Sequence, residues 1–227
     1  MLRRDLLIGS AATAAVSLSP LTLQAQKVET YHENIRRRAL NARAVLLCWG
    51  QRSGKSHIMS QIAGDRLRSG LASRTVFVTC SPTQASIAVA QLNYQTTQAE
   101  PLFESCKVTA QDFLSDAFSK HSRESDIILF EEIDWMWGKR SHSARTVSSH
   151  SLLLQRAYAL HPNLVLAVSS PSQEHGGFLS TVKFCEGHPT ILADHATSFE
   201  VNPALRVEDF ASDPHFVRDF LAYKGEQ

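Results

Sequence analysis

The sequence predicts an α/β fold, a three-layer sandwich in which helices cover both faces of a mostly parallel central sheet. Apolar runs of strand length recur along the chain, and segments of helical periodicity separate them. The runs lack the polar alternation of half-exposed strands, which is typical of strands that a parallel sheet buries on both faces. The first run leads through a Gly- and Ser-containing loop into a helix, and strands that alternate with helices predict βαβ units.

The elements follow one another along most of the chain. The apolar runs predicted as strands are Ala44–Trp49, Thr75–Thr79, Asp126–Phe130 and Leu164–Val168. The segments predicted as helices are Tyr31–Ala44, Lys55–Arg68, Gln84–Leu92, Ala110–Phe118 and Ser151–Leu160. The tail Val207–Tyr223 adds one or two predicted helices, which break near Asp213-Pro214 because proline interrupts a helix.

Composition places the chain among ordinary soluble globular proteins. Of its 227 residues, 43% are apolar and 20% are charged, which excludes a disordered or fibrous protein. The formal net charge is +1, whereas a protein that neutralised many nucleic-acid phosphates over a whole face would be more basic. Any contact with nucleic acid therefore depends on a local patch or on several copies of the chain.

Residues 1–27 form a leader that differs from the rest of the chain. Arg3 and Arg4 stand near its start, and no charged residue lies between Asp5 and Lys27. A basic start and an apolar middle are typical of a twin-arginine export signal. The stretch is too short and too rich in Ser and Thr to predict a membrane span. The alternative is an amphipathic or poorly ordered leader in front of a single domain over residues 28–227.

A phosphate-binding loop is predicted between the first strand and the helix that follows it. Its residues are Gly50, Gln51, Arg52, Ser53, Gly54, Lys55 and Ser56. The glycines permit a tight backbone whose N–H groups converge on phosphates, Lys55 supplies a flexible cation, and the Ser56 hydroxyl can ligate Mg²⁺. The usual spacing places a glycine where this chain has Trp49. The sequence therefore predicts a variant P-loop that binds ATP with Mg²⁺.

Two carboxylates follow the third predicted strand. Glu131 and Glu132 come directly after the apolar run that ends at Phe130. In triphosphate hydrolysis one carboxylate orients the metal and another polarises the attacking water. The order of the pair assigns Glu131 to the metal and Glu132 to the general base. Glu131 is one methylene longer than the Asp that is usual at the metal.

A polar segment ends the fourth predicted strand. Ser169, Ser170 and Pro171 follow the apolar run, and Gly176–Phe178 come shortly after them. By itself this is an ordinary loop composition. A polar strand end beside the γ-phosphate is also where a sensor of hydrolysis belongs.

In their order and spacing these motifs resemble the ATPase domain of the large terminase subunit, the motor that packages DNA into bacteriophage and herpesvirus-type capsids. That family has a loop of the form Gly-Arg-Arg-Ser-Gly-Lys-Ser, a following strand that often ends in Ala-Pro-Thr and a Gln, an acidic strand ending in Asp-Glu, and a Ser/Thr-Thr-Pro coupling motif with a later Gly and aromatic. Its ATPase domain ends with Asn-Pro and then Asp-Pro-x-x-Phe. The corresponding segments here are Gly50–Ser56, Ser81–Gln84, Ile127–Glu132, Ser169–Pro171, Gly177–Phe178, Asn202–Pro203 and Asp213–Phe220.

The resemblance implies a P-loop NTPase of the additional-strand, catalytic-glutamate (ASCE) type. Such an enzyme would hydrolyse ATP with Mg²⁺ and translocate double-stranded DNA through contacts that ignore base sequence. It would act in the host cytoplasm as a homo-oligomeric ring, with the portal and the small terminase subunit as partners and no membrane contact. Ser169–Pro171 would couple hydrolysis to motion. Arg123 is similar to the family's candidate arginine finger, with Arg140 and Arg145 as reserves.

Departures from the family pattern leave alternatives open. Gln51 stands where the family favours Arg, and no aromatic–Gln contact for adenine is evident near Tyr31 and His32. No acidic cluster suited to two-metal cleavage follows before Gln227, so a motor domain without its nuclease domain is expected. The alternatives are a catalytically weakened nucleotide-binding prophage remnant and an exported protein with an incidental P-loop. The second fits the leader, but an ATP-consuming site belongs where ATP is present.

Overall fold

The computed structural model describes residues 31–79, 90, 104–109, 113, 126–133, 145–170, 177–206 and 208. Within these ranges one sheet contains six strands. They are β1 (Ala44–Trp49), β2 (Arg74–Thr79), β3 (Glu104–Thr109), β4 (Asp126–Phe130), β5 (Leu164–Ser169) and β6 (Ile191–Ala196). The helices of the same ranges are α1 (residues 31–39), α2 (Lys55–Arg68), α3 (Arg145–Ala159), α4 (Gly177–Cys185) and α5 (Ser198–Val201).

The strand order is β3-β2-β4-β5-β1-β6, and every neighbouring pair is parallel. Parallel strands all end at one edge of the sheet, so the loop after β1 and the carboxylates after β4 lie at that edge. β5 separates β1 from β4, which is the additional strand of the predicted ASCE type. The end of β5 therefore lies between the phosphate loop and the acidic strand end.

Helices pack on both faces of the sheet. On β1, Val45, Leu47 and Trp49 belong to a core cluster that includes residues of α1 and α2. The intervening Leu46 belongs to a second cluster, with residues of α3 and α4. All six residues of β1 are buried, because successive side chains of a strand point to opposite faces and both faces are covered. The predicted α/β class, parallel sheet and three layers are confirmed.

The four predicted strands are present within one residue of their predicted bounds. The predicted α2 is confirmed, whereas α1 ends at residue 39 rather than at Ala44, since Ala44 begins β1. Helix α3 begins six residues before its predicted start at Ser151. Strands β3 and β6 and helix α4 were not predicted, because their sequences ESCKVT and ILADHA are not unbroken apolar runs and Gly177–Phe178 was interpreted as loop.

Several predicted segments lie outside the described residues. These are the leader 1–27, the tail helices within Val207–Tyr223, and most of the helices predicted at Gln84–Leu92 and Ala110–Phe118. Of those two helices only Ala90 and Phe113 are described, and both are helical. Among the helices that the structure describes, none is long and apolar enough to cross a bilayer.

An ion pair is buried at the opposite edge of the sheet, where the strands begin. Arg74 opens β2 and lies in register with Asp126, which opens β4. The guanidinium donates through Nε and Nη2 to the two carboxylate oxygens of Asp126. The side chains are only 8% and 1% exposed, so each charge depends on the other for compensation.

We expect Asp126→Asn to lower the free energy of unfolding by about 3 kcal/mol, because the buried Arg74 guanidinium loses its counter-charge. Urea unfolding followed by circular dichroism measures the change. Glu33→Gln is the matched control, because Glu33 forms an ion pair with Arg36 but its own side chain is 69% exposed. Its effect is expected to stay within about 0.5 kcal/mol. Equal effects of the two substitutions would contradict the prediction.

Candidate nucleotide-binding site

The loop between β1 and α2 leaves the start of the helix free to receive an anion. Gly54 precedes α2 with φ 87°, a left-handed conformation that glycine adopts without a Cβ penalty. Within the described part of the chain no side-chain hydrogen bond caps this end, and the first turn of the helix contains no acidic residue. The N–H groups and the positive end of the helix dipole thus point toward the loop, the arrangement that binds phosphate.

Gly50 is required by close packing rather than by a special dihedral angle. Its N–H donates to the carbonyl of Ala196 at 3.0 Å, and a Cβ at this position would overlap both the hydroxyl and the backbone of Ser198. The Ser198 hydroxyl in turn donates to the carbonyl of Gln51. The end of β6 and the start of α5 therefore pack directly against the first half of the loop.

Lys55 lies at the centre of the site and is only 7% exposed. Its ammonium donates to the carbonyls of Trp49 and Gly50, each at 3.2 Å, and to the Ser170 hydroxyl at 2.8 Å. It also lies 3.7 Å from Oε1 of Glu132. Burial lowers the pKa of Lys55 below its ordinary value, and the nearby carboxylate opposes that shift.

Ser56 and Glu131, the two predicted Mg²⁺ ligands, are in direct contact. The Ser56 hydroxyl donates to Oε1 of Glu131 at 2.6 Å, across the gap between α2 and the end of β4. Burial raises the pKa of Glu131 above its ordinary value, the hydrogen bond from Ser56 opposes the rise, and the charge of Glu132 adds to it. A hydroxyl and a carboxylate side by side are oxygen donors that suit Mg²⁺.

Glu132 is held in an uncommon backbone conformation. Its φ is 49°, in the left-handed region that residues other than glycine rarely adopt. The carboxylate is 28% exposed and lies beside the Lys55 ammonium, and its Oε2 accepts a hydrogen bond of 3.4 Å from the Ser170 N–H. The turn at residue 132 thus points the carboxylate toward the phosphate loop, where a general base is needed.

The predicted coupling segment reaches the same place. Ser169 is the last residue of β5 and is fully buried, whereas Ser170 is half-buried and contacts both Lys55 and Glu132. Pro171 lies outside the described residues. The predicted Gly-aromatic part of the motif instead begins α4, where Phe178 is buried in the core. Phe178 therefore has a packing role.

A cleft of about 460 Å³ opens over these groups. Its lining combines the phosphate loop with the ends of β4 and β5: Gln51, Arg52, Gly54, Lys55, Ser56, His57, Glu132 and Ser170. The hydroxyl of Ser53 is buried in the loop and has no hydrogen-bond partner among the residues that the structure describes, whereas buried polar groups normally have one. A cation, an open helix start and an unsatisfied donor fit a bound phosphate, and Ser56 with Glu131 fits its metal.

The predicted arginines differ in how far the structure describes them. Arg52 lines the cleft, is exposed and has φ 56°, so its side chain stands at the mouth of the site. Arg123 and Arg140 lie outside the described residues. Arg145 begins α3, and the structure says nothing of its side chain.

Two groups in or beside the site were not predicted from the sequence. His57 lines the cleft next to Ser56. Asp194, in the unpredicted strand β6, accepts hydrogen bonds at 2.7 Å from the Trp49 indole and at 2.8 Å from the Tyr31 hydroxyl. Asp194 stands beside His195 in an otherwise apolar segment, which by itself predicts no role. The signal for Trp49 was its place where a glycine is usual.

Nucleotide affinity should fall at both ends of the pH range, with an acid limb and an alkaline limb. The acid limb should begin at a higher pH, and the alkaline limb at a lower pH, than for exposed side chains of the same types. The predicted metal ligand Glu131 would have to be ionised to hold Mg²⁺, and its raised pKa means that protonation begins at a higher pH than for an exposed Glu. Phosphate binding needs charged Lys55, and its lowered pKa brings the alkaline loss to a lower pH. Titration of a fluorescent ATP analogue with Mg²⁺ at a series of pH values measures both limbs.

Two variants test whether Glu131 is the source of the loss of affinity at acid pH. Glu131→Gln should remove the acid limb, whereas His57→Gln should leave it in place if Glu131 is its source. An acid limb that survives Glu131→Gln would contradict this assignment.

No protein-family model matches the chain, and no curated protein sequence matches it. Among solved structures it is similar to a mutant of the large terminase ATPase domain of Thermus phage P74-26, with 15% identity over 75% of this chain and 82% of that chain and a TM-score of 0.51. It is also similar to the flagellar accessory protein FlaH of Methanocaldococcus jannaschii, with 15% identity over 61% of this chain and 67% of that chain, at a TM-score of 0.41. At such identities the first likeness establishes the fold alone, which is the P-loop ATPase fold.

Proposed function

We propose that this chain is an ATP-hydrolysing motor domain that couples hydrolysis to the movement of double-stranded DNA, as in a large terminase subunit. One observation carries the proposal: Lys55, Ser56, Glu131, Glu132 and Ser170 meet at one edge of the sheet, joined by contacts of 2.6–3.7 Å. A phosphate-binding cation, a pair of oxygen donors suited to a metal and a general base at one edge of the sheet are the groups that phosphoryl transfer to water requires.

The positions of these residues assign each of them a separate role in binding the nucleotide, the metal or the attacking water. The N–H groups at the start of α2 and the Lys55 ammonium would bind the triphosphate, and Ser56 and Glu131 would hold Mg²⁺. The metal neutralises charge on the phosphate oxygens when it is bound. Glu132 orients a water molecule and accepts its proton, because its carboxylate is already directed at the phosphate loop.

Ser170 is the contact through which hydrolysis would be sensed. Its hydroxyl accepts from Lys55 and its N–H donates to Glu132, so binding or loss of the γ-phosphate would change both partners. Ser169 and Pro171 flank it in the sequence and would transmit the change to the segment that follows β5. A switch segment that is ordered by a γ-phosphate is a common device in nucleotide-driven proteins.

The terminase assignment rests on the order of the motifs in the sequence and on the likeness in fold to a phage terminase ATPase domain. As parts of the same proposal, the active form is a homo-oligomeric ring in the host cytoplasm, and Arg123 is its arginine finger. The portal and the small terminase subunit are its partners. Contacts with DNA go to backbone phosphates.

The test is ATP turnover by the full chain with and without double-stranded DNA, together with displacement of a triplex-forming strand as a measure of translocation. DNA-stimulated, Mg²⁺-dependent turnover with strand displacement is the expected result. Turnover that double-stranded DNA leaves unchanged would contradict the motor assignment while leaving an ATPase.

A nucleotide-binding protein without turnover is the second candidate. Glu131 favours it, because its side chain is one methylene longer than that of the Asp that is usual at the metal. Binding of Mg²⁺-ATP without turnover that depends on Glu132 would favour this candidate.

A further inference from the structure

We propose that Asp194 is a positioning residue for the phosphate loop and acts through Trp49, the residue that replaces the usual first glycine. The proposal rests on the nucleotide site described above and adds to it a support that the loop motif does not contain. The support consists of Asp194 on β6, Trp49 at the end of β1, and Tyr31 and His32 on α1. We call these four residues the loop support.

Trp49 makes the support necessary. Its side chain is fully buried, and a buried indole N–H left without an acceptor is costly. Asp194 Oδ2 accepts that N–H at 2.7 Å. Because Trp49 directly precedes the loop and its carbonyl accepts from Lys55, the orientation of the indole helps to fix the backbone that holds the ammonium.

Asp194 also joins α1 to the sheet edge. The same Oδ2 accepts from the Tyr31 hydroxyl at 2.8 Å, and Nη1 of Arg38 lies 3.9 Å from Oδ1. The side chain is only 17% exposed, and a carboxylate so far removed from water needs such partners. Asp194 thus connects β6 to β1 and α1 through hydrogen bonds next to the loop.

His32 extends the support to the far end of the loop. Its ring stacks on Trp49 with the planes 2° apart and the centroids 5.7 Å apart. Its Nε2 lies 3.2 Å from the Ser53 carbonyl, which can only accept, so Nε2 carries the proton. A Cβ at Gly54 would meet this ring at 2.9 Å. The chain of contacts therefore runs from Asp194 through Trp49 and His32 to the residues just before Lys55.

Substitutions in the loop support should affect the binding of ATP more than the chemical step. The loop support touches neither Glu131 nor Glu132 in any described contact, so loosening it should misplace the phosphate-binding backbone and leave the general base in position. Small displacements of positioning groups have large effects on binding and reaction geometry. Substitutions here should therefore raise the KM for ATP more than they lower kcat.

The test compares Trp49→Phe, Asp194→Ala and the double variant by equilibrium binding of a fluorescent ATP analogue with Mg²⁺. Each single substitution should weaken binding about tenfold. The affinity of the double variant should be only slightly lower than that of either single variant, because both substitutions break the same contact. Asp194→Asn, which keeps an acceptor oxygen, should have a smaller effect. Tyr158→Phe is the matched control, because it removes a hydroxyl on α3 at the other face of the sheet.

Urea unfolding of each variant distinguishes positioning from bulk stability, since a residue with only a structural role would lower the unfolding midpoint without changing the Kd of the folded protein. Wild-type affinity in Trp49→Phe, or fully additive losses in the double variant, would overturn the proposal. If wild-type protein itself binds no Mg²⁺-ATP, the nucleotide site is wrong and the proposal falls with it. If wild-type protein binds and the variants bind equally well, the nucleotide site stands and only the positioning role is lost.

Discussion

Replacing Glu132 by Gln is expected to lower the ATP turnover number by about 100-fold or more, while nucleotide binding is retained. General-base catalysis contributes a factor of about 10²–10⁴, and a neutral amide cannot accept the proton of the attacking water. The substitution keeps the size of the side chain and one oxygen that can accept from the Ser170 N–H. The geometry at the end of β4 should therefore survive, and only the chemistry should be lost.

The contact between Glu132 and Lys55 adds a second expected effect. Glu132 Oε1 lies 3.7 Å from the Lys55 ammonium, so the carboxylate competes with an incoming phosphate for the same cation. Removing the negative charge should leave the affinity for ATP equal to wild type or greater. Loss of turnover together with loss of binding would contradict the role given to Glu132.

Glu131→Gln is the matched control, because it makes the same chemical change one residue earlier. Its expected signature is a higher Mg²⁺ concentration for half-maximal turnover, since a metal ligand is weakened rather than a base removed. Phosphate release at saturating ATP, measured over a series of Mg²⁺ concentrations, separates the two variants. A metal dependence that is unchanged in Glu131→Gln would contradict the metal assignment.

The part of the fold that could be predicted is the part that is buried on both faces. β1, β4 and β5 are entirely buried, and a nearly continuous apolar run is the usual pattern of such a strand. Their parallel order then brings the residues after each strand to one edge, which is why Lys55, Glu132 and Ser170 could be placed together from sequence alone.

Strand β6 could not be predicted in the same way. It is an edge strand whose residues are mostly half-buried, and its polar residues interrupt the apolar pattern. Asp194 carries no local signal of its role because its partners Trp49 and Tyr31 are 145 and 163 residues away in the chain. Contacts over such separations arise only from the sheet order, which places β6 next to β1.

Replacing Lys55 by Met is expected to weaken Mg²⁺-ATP binding by about 30-fold or more, the loss associated with removing a buried charge partner. The stability of the protein should respond differently. Burial lowers the pKa of Lys55, which means that the site disfavours the charged form until a phosphate arrives. Met fills a similar volume without that cost, and Glu132, the ion partner left behind, is 28% exposed and stays solvated, so the free energy of unfolding should stay within about 1 kcal/mol of wild type.

Lys55→Arg provides the contrast that identifies the role of the ammonium. The guanidinium keeps the positive charge but is broad and planar, and the space at Lys55 is closed by the carbonyls of Trp49 and Gly50. We expect the Arg variant to lose both affinity and stability, whereas the Met variant loses affinity alone. Binding titrations and urea unfolding of the two variants measure the difference. Affinity near wild type in either variant would mean that Lys55 does not contact the phosphates, because a cation placed to bind them is sensitive both to its charge and to its shape.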